Sequence, residues 1–380
     1  MRVFLVGSSK VPYDNSASDI RLKSYAELFC MCGYDVTIVN RYATLCDAFK
    51  NQEVYAGSPY KIKELLKPRA KGYLFPILFV WSIVIEFFYL LKDRIKNDSD
   101  GVLHLYTGHF VDLLFYKFVS LLTGYKIIYQ YVEYRSAIQR NGLYHRFNGK
   151  LFDAYGPKLW HGVIPISHFL KEKALEVNPK LAWMVGPPIC DYSQFDAQSQ
   201  EKERIVLFCG SAGYFDVVKL IVDSFNQSRI SKAYKLVLIL SGSNEQLGAV
   251  KEYAPNAEIK TRLPYLELIE NYNKANVLMI PLRNTIQDIA RFPNKVCEYA
   301  ASKGVIVSTV YGEPAYFFED KVSALIADDF SVDALTEKLD WLYDNENEIE
   351  CIGQRGYEIG TEVFNLNSYQ TKIQEFLAKI

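Results

Sequence analysis

The chain has 380 residues, which is enough for two ordinary domains. Its 49% hydrophobic and 23% charged residues are typical of a globular protein, and a net charge of −1 argues against a nucleic-acid-binding protein. The seven cysteines are scattered and lack zinc-finger spacing, so we expect free thiols in a reducing compartment and no metal site.

The first half of the chain alternates strands and helices. A strand at residues 3–6, a helix at about 18–32 and a strand at 36–39 form a βαβ opening, and the first apolar run is too short for a signal peptide. Alternation resumes at Val102, with a further strand at Lys126–Tyr131. The first loop lacks Gly-x-Gly-x-x-Gly, so the dinucleotide-binding fingerprint is absent from a predicted parallel sheet.

Residues 61–91 combine a basic stretch with an apolar run, Tyr73–Leu91. A spanning helix needs about 20 apolar residues, and Glu86 would cost about 2.5–3.5 kcal/mol near a bilayer centre. Two interpretations stay open. The helix dips into one leaflet while the basic stretch contacts anionic headgroups, or it is a long core helix that covers the sheet.

A second alternating series begins at Arg204, after a polar run at 196–203 that predicts a linker. It includes a short strand at Glu258–Lys260 and a helix at Tyr265–Lys274. We therefore predict an α/β protein of two tandem Rossmann-like domains, whose parallel sheets face an interdomain cleft. The predicted segments are a first Rossmann-like domain 1–195, the linker 196–203, a second Rossmann-like domain 204–365, and a C-terminal helix 366–380 that we expect to pack back on the first domain.

The stretch Arg291–Thr309 is predicted to be a loop, a helix that Gly304 ends, and a buried strand. A helix start attracts anions, and Arg291 and Lys295 flank this one, with Glu298 three residues further on the same face. The arrangement suits a nucleotide diphosphate, with cations for phosphate and a carboxylate for ribose hydroxyls. The alternative is an ordinary ion pair between Lys295 and Glu298 on a solvated helix.

Other candidate residues follow strand ends. Gly210 and Ser211 would let backbone N–H groups approach phosphate, although a tight strand-to-helix turn explains them equally well. Arg262 and Arg283 could meet a departing diphosphate, or they are common surface arginines. In the first half, His109 and Glu133 also follow strands. The alternative for Glu133 is pairing with Arg135.

The order of elements and the segment PNKVCEYAASKGVIVST resemble the C-terminal nucleotide-sugar motif of glycosyltransferase family 4. The matching positions of the Pro-x-Lys-x-x-Glu-Tyr pattern are Pro293, Lys295, Glu298, Tyr299 and Gly304. The passages RIVLFCGSAG, NYNKANVLMIPLR and GVIPISHFLKEKA are also similar, so the resemblance covers most of the chain. It implies the GT-B fold and a glycosyltransferase that retains anomeric configuration.

Two departures from the family pattern are clear. Ala290 stands where members often carry the first Glu of a Glu-x7-Glu pair, and SAGYFD lacks the usual Arg and Lys after the first strand of the second domain. Arg262, Arg283 or Arg291 would have to supply the missing cations. These departures keep two alternatives open, a nucleotide-sugar epimerase of the same fold and a non-catalytic GT-B partner subunit.

The resemblance implies transfer from a UDP or GDP sugar to a glycan or lipid-linked acceptor, with no cofactor, no obligatory metal and no nucleic acid. With the segment 61–91, it suggests bacterial surface-polysaccharide synthesis by a cytoplasmic protein that is peripheral on the inner face of the membrane. The roles it implies are nucleotide-sugar binding by Gly210, Ser211, Arg262, Arg291, Asn294, Lys295 and Glu298, catalysis by Glu133, His109 and Arg283, and acceptor binding by Asn15 and Ser18.

Overall fold

The computed structural model describes residues 1–7, 11, 17–42, 58–66, 75–97, 99–138, 142–198 and 200–380. The chain forms two compact units. The first unit contains residues 1–186 and 369–380, and the second contains residues 187–368. Each unit is a parallel sheet with helices packed against it, which confirms the predicted α/β class.

The first unit is built on a sheet whose described strands all pair in parallel. These strands are β1 Arg2–Gly7, β2 Asp35–Tyr42, β3 Lys61–Leu66, β4 Gly101–Tyr106, β5 Lys126–Tyr131, β6 Gly162–Pro165 and β7 Ala182–Trp183. Their order across the sheet is β3-β2-β1-β4-β5-β6-β7. The central strands carry near-continuous apolar runs because helices cover both faces of such a sheet.

Helices connect these strands. They are α1 Ala17–Met31, α2 Phe75–Asn97, α3 Phe110–Thr123, α4 Leu143–Leu159 and α5 His168–Val177, and the last helix of the chain, α15 Gln370–Leu377, joins the same unit. Helix α15 packs on α1, and a Cβ at Gly162 would lie 2.8 Å from the Phe376 ring, so this glycine gives α15 room beside β6. Gly124 follows the end of α3 in the left-handed conformation that favours glycine at a helix C-terminus.

The segment 61–91 contains both a strand and a helix. Residues 61–66 form β3, the edge strand beside β2, which the sequence analysis missed. In α2, Glu86 is fully buried and accepts hydrogen bonds from Arg41 Nε at 2.6 Å and Tyr116 Oη at 2.8 Å. The core-helix interpretation is therefore right for the inner face of α2. Among the described residues, no helix is both long and apolar enough to cross a membrane.

The second unit repeats the plan with the described strands β8 Glu203–Ser211, β9 Lys235–Ser241, β10 Glu258–Lys260, β11 Ala275–Met279, β12 Val305–Thr309 and β13 Leu325–Ala327. Their order is β10-β9-β8-β11-β12-β13, again all parallel. Its helices are α6 Ser193–Asp196, α7 Phe215–Gln227, α8 Asn244–Tyr253, α9 Tyr265–Lys274, α10 Ile286–Ala290, α11 Lys295–Ala301, α12 Pro314–Phe317, α13 Val332–Asp344 and α14 Ile349–Val363.

The chain enters the second unit before the predicted boundary at residue 195. Phe195 is buried, Tyr192 Oη donates to the Cys297 carbonyl at 3.4 Å, and Asn273 Nδ2 donates to the Phe195 carbonyl at 2.9 Å. The residues just before the polar run therefore pack with the second sheet. At the other end, residues 369–380 return to the first unit.

Helix α11 ends differently from the prediction. It stops at Ala301, and Lys303 rather than Gly304 takes the left-handed conformation, with φ of 60°. Gly304 is needed for packing instead, because a Cβ there would lie 2.5 Å from the Leu278 side chain and 3.0 Å from the Ala275 carbonyl oxygen. The helix also begins two residues after Pro293, with Asn294 at its N-cap.

Candidate functional site

Glu298 is the most unusual candidate side chain in the second unit. It lies on α11, is only 5% exposed, and its Oε2 makes no hydrogen bond within the described part of the chain. The phenol groups of Tyr265 and Tyr272 on α9 lie close to the carboxyl group. Burial raises the pKa of Glu298, although Lys295, Tyr272 and Tyr265 act in the opposite direction. A buried carboxylate oxygen without a donor is a ready acceptor for hydroxyl groups of a ligand.

Lys295 supplies the positive charge nearest to Glu298. Burial lowers the pKa of its ammonium group, but the neighbouring Cys209 and Glu298 side chains outweigh this effect and raise the pKa overall. The solvated-helix alternative is wrong for Glu298, since residues 296–301 of α11 are all buried. Lys295 keeps partial access to solvent, so its charge is available to an anion at this end of the sheet.

The site is held in place by contacts between α9, α11 and β8. Tyr299 Oη accepts a hydrogen bond of 3.0 Å from the Cys209 backbone N–H, and Tyr272 meets the Tyr299 ring edge-on at 5.1 Å. Cys209 lies near the carboxyl end of β8, where ligands bind in parallel α/β sheets. The carboxylate and ammonium groups are thus placed by packing rather than by a flexible loop.

Two arginines converge on Tyr214, in the loop after β8. The Arg283 guanidinium lies 5.4 Å from the centroid of the Tyr214 ring, and Arg291 Nη1 donates to Tyr214 Oη at 3.4 Å. Arg283 is also held by Asp288 through two side-chain bonds, of 2.7 and 3.1 Å, and by Asp216 at 2.9 Å. These hydrogen bonds raise the pKa of Arg283, and the two carboxylates balance its charge.

The remaining nucleotide-sugar candidates have local structural roles. A Cβ at Gly210 would lie 2.5 Å from the Phe208 ring, so glycine is needed there for packing. Ser211 Oγ accepts a 3.1 Å hydrogen bond from the Gly213 N–H, which is the tight turn that the sequence left as the alternative. The Asn294 carbonyl accepts from Cys297 Sγ at 2.8 Å.

Arg262 stands apart from these residues. It follows β10, is exposed, and has a φ of 55°, a left-handed conformation that costs energy for any residue except glycine. Within the part of the chain that the structure describes, its side chain makes no hydrogen bond or ion pair.

The first-unit candidates lie on separate loops. His109 is exposed, and its Nδ1 lies 3.2 Å from Tyr144 Oη. Glu133 pairs with Arg135 at 3.0 Å, which is the alternative that the sequence left open. Ser18 is half-buried near the start of α1 and lies beside Tyr106, while Asn15 lies outside the described residues.

Sequence reasoning missed the aromatic wall of the site. Tyr265 and Tyr272 are seven residues apart on α9, and this spacing places them on the same helix face. Tyr214 follows the first strand of the second unit. In this loop the sequence had pointed only to the glycine and serine residues as candidates for phosphate binding. The seven-residue spacing of Tyr265 and Tyr272 was the sequence pattern that could have indicated a tyrosine-lined face on this helix.

Residues 192–359 match the family model described as glycosyl transferases group 1. This match lies wholly within the second unit, which is therefore a glycosyltransferase domain, and the prediction of a glycosyltransferase is confirmed. A comparison with curated protein sequences finds no match.

Several solved structures have a similar fold, and their alignments with this protein cover almost the whole chain. A sucrose-phosphate synthase from Thermosynechococcus elongatus has 13% identity and a TM-score of 0.74, covering 100% of this chain and 99% of that one. HepE from Anabaena in complex with UDP has 10% identity and a TM-score of 0.71, with both chains covered completely. WaaG, a glycosyltransferase involved in lipopolysaccharide biosynthesis, has 12% identity and a TM-score of 0.65, with 99% of each chain covered. These likenesses show the fold, and they confirm the GT-B prediction.

Proposed function

We propose that this glycosyltransferase moves a hexosyl group from a UDP or GDP sugar to a glycan or lipid-linked acceptor, with retention of anomeric configuration. The observation that carries the proposal is the buried Glu298 carboxylate, whose Oε2 has no donor among the described residues. Ribose hydroxyl groups would supply the missing donors. An unsatisfied buried acceptor costs about 1–3 kcal/mol, so a ligand that satisfies it gains comparable affinity.

The diphosphate would bind near the start of α11 and the loop after β8. Lys295 is the first residue of α11, and Arg291 and Arg283 both contact Tyr214 in the loop after β8. Negative charge develops on the leaving diphosphate as the sugar bond breaks, and positioned cations stabilise that charge in the transition state. Under this proposal the reaction requires neither a cofactor nor a bound metal ion.

Two solved structures of one neighbour support a uridine nucleotide. HepE from Anabaena has been solved with UDP and also with UDP-glucose, the latter structure at a TM-score of 0.68. At 10–11% identity this resemblance favours UDP over GDP but leaves the sugar open.

The first unit would bind the acceptor. His109 and Glu133 follow β4 and β5, at the edge of the sheet where parallel α/β proteins bind ligands. We assign them to the acceptor side of the reaction, together with Ser18 and Asn15. We propose in particular that the acceptor is lipid-linked and belongs to bacterial surface-polysaccharide synthesis. The protein would meet this acceptor at the inner face of the cytoplasmic membrane.

Calorimetric titration of UDP, GDP and CMP tests the proposal. We expect UDP or GDP to bind the wild-type chain, and Glu298→Ala to weaken that binding at least tenfold. The matched control is Glu252→Ala, which removes an exposed glutamate of the same unit. If none of the three nucleotides binds, the proposal is wrong. Conversion of the donor sugar without an acceptor would instead identify an epimerase.

A further inference from the structure

The acidic residues of three first-unit helices all point inward. Helices α2, α3 and α4 contain four acidic residues, Glu86, Asp93, Asp112 and Asp153, each buried or nearly so. Glu86 and Asp112 bind Arg41, Asp93 pairs with Arg2, and Asp153 accepts from Tyr131 Oη at 2.9 Å. The outer surface of these helices therefore carries no exposed acidic side chain, as far as the chain is described.

The outer surface is instead apolar. Each helix presents a stripe of large hydrophobic residues at helical spacing, and the most exposed are Leu143 at 84%, Ile95 at 75% and Leu121 at 72%. The exposed set comprises Ile77, Phe79, Val80, Trp81, Phe88 and Ile95 on α2, Val111, Leu114, Phe118, Leu121 and Leu122 on α3, and Leu143, Tyr144, Phe147 and Tyr155 on α4. Contiguous apolar surfaces of this kind mark interaction sites.

The same three helices also carry exposed basic residues. The lysines and arginines of the three helices are Lys92, Arg94, Lys96, Lys117, Arg146, Lys150 and Lys158, all exposed or half-exposed. The Lys158 ammonium lies 5.6 Å from the centroid of the Tyr155 ring, so basic and aromatic groups are interleaved. We call the outer surface of α2, α3 and α4 the basic-apolar face.

The three helices form one continuous surface. Helix α3 packs between α2 and α4 on the sheet. Between α2 and α3, the rings of Phe87 and Phe118 stack with their centroids 5.9 Å apart. Between α3 and α4, the ring centroids of Phe110 and Tyr155 lie 6.4 Å apart. The stripes therefore lie side by side rather than on opposite faces of the unit.

We propose that the basic-apolar face docks on an anionic phospholipid membrane. Apolar side chains enter the headgroup region, lysines and arginines contact lipid phosphates, and Trp81, Tyr144 and Tyr155 have the amphipathic rings that favour this depth. A second copy fits less well, because two basic faces repel each other. Only the purpose of the docking, which is to reach a lipid-linked acceptor, rests on the proposed function.

Vesicle flotation of the full chain without nucleotide tests the docking. We expect flotation with vesicles of phosphatidylcholine and 30% phosphatidylglycerol but not with phosphatidylcholine alone, and at least tenfold weaker binding in 0.5 M salt. Phe118→Glu with Leu121→Glu, and separately Lys150→Glu with Lys158→Glu, should each weaken binding at least tenfold. All four side chains are exposed, so the fold should tolerate these changes. Leu266→Glu with Lys251→Glu, on exposed positions of the second unit, is the matched control.

Three results would overturn this inference: no flotation with anionic vesicles, equal flotation with neutral vesicles, or variants of the basic-apolar face that bind as the wild type does. Light scattering that shows a dimer dissociated by the Phe118→Glu and Leu121→Glu pair would also overturn it, by assigning the face to self-association. Calorimetry of UDP and GDP with the same variants separates this outcome from failure of the proposed function, because the docking variants leave the second unit unchanged.

Discussion

The two units each contain a buried glutamate on a helix, and the two differ in one respect. Burial raises the pKa of both Glu86 and Glu298. The Glu86 carboxylate is satisfied by Arg41 and Tyr116, whereas Glu298 keeps an oxygen without a donor in the described residues. A buried charge that is fully paired serves the fold, and one that is left incomplete marks a place for a ligand.

The largest expected effect is on the paired carboxylate. Glu86→Ala leaves Arg41 buried with less compensation, so we expect the free energy of unfolding of the first unit to fall by about 3–5 kcal/mol. Urea unfolding followed by tryptophan fluorescence measures this, since three of the four tryptophans (Trp81, Trp160 and Trp183) lie in the first unit. Glu172→Ala, which removes an exposed glutamate on α5 of the same unit, is the control. A loss below about 0.5 kcal/mol, the usual range for surface substitutions, would contradict a structural role for this network.

The second largest expected effect is a difference between the two units in how their stability responds to acid. All five histidines lie in the first unit. Burial lowers the pKa of His104 to about 3, and burial with Lys117 and Lys126 lowers that of His161 to about 4. The unfolded chain therefore binds more protons between pH 6.5 and 4, and the stability of the first unit falls as the pH falls.

We expect the first unit to lose about 2–3 kcal/mol between pH 6.5 and 5, allowing for the half-exposed His161 ring. Urea unfolding at stepped pH measures this loss. Replacing both rings, by His104→Phe and His161→Asn, should flatten the slope. The control is exposed His145→Asn, which leaves both buried rings in place. An unchanged slope in the double variant would show that other groups cause the acid sensitivity.

Replacing Glu298 should have the opposite effect to replacing Glu86. Glu298→Ala removes a buried carboxylate whose Oε2 has no donor among the described residues, so we expect little loss of stability but a 10- to 100-fold weaker nucleotide affinity, or about 1.4–2.7 kcal/mol. Urea unfolding and calorimetry on the same preparation separate the two effects. A large loss of stability with unchanged nucleotide affinity would make Glu298 a second structural carboxylate and remove the difference between the units.

The smallest expected effect is at Arg262. Arg262→Gly relieves a left-handed backbone, so we expect the second unit to become more stable by about 0.5–1 kcal/mol. If the arginine also contacts the diphosphate, nucleotide affinity falls at the same time. Comparison with Lys321→Gly, which relieves a φ of 60° elsewhere in the unit, isolates the contribution of the side chain to binding. Equal affinity in both variants would exclude Arg262 from the site.

The sequence by itself determined most of the strands and helices and the position of the Pro-x-Lys-x-x-Glu-Tyr segment. Alternating apolar runs and helical spacing predicted two parallel α/β units, and the strands at 126–131 and 258–260 and the helix at 265–274 have the predicted bounds. These features depend on neighbouring residues in the chain, which a sequence displays directly. The same holds for the short spacing of Lys295 and Glu298 on one helix face.

The tertiary structure alone decided which groups are covered and what they meet. Glu86 faces inward because Arg41, 45 residues earlier, reaches it from β2, while the opposite face of α2 stays exposed and gave the apolar run its membrane-like character. Residues 61–66 become a strand because β2 offers a free edge. Glu298 is buried because α9 brings Tyr265 and Tyr272 against it. Burial depends on partners that are distant in the chain, and no local pattern records them.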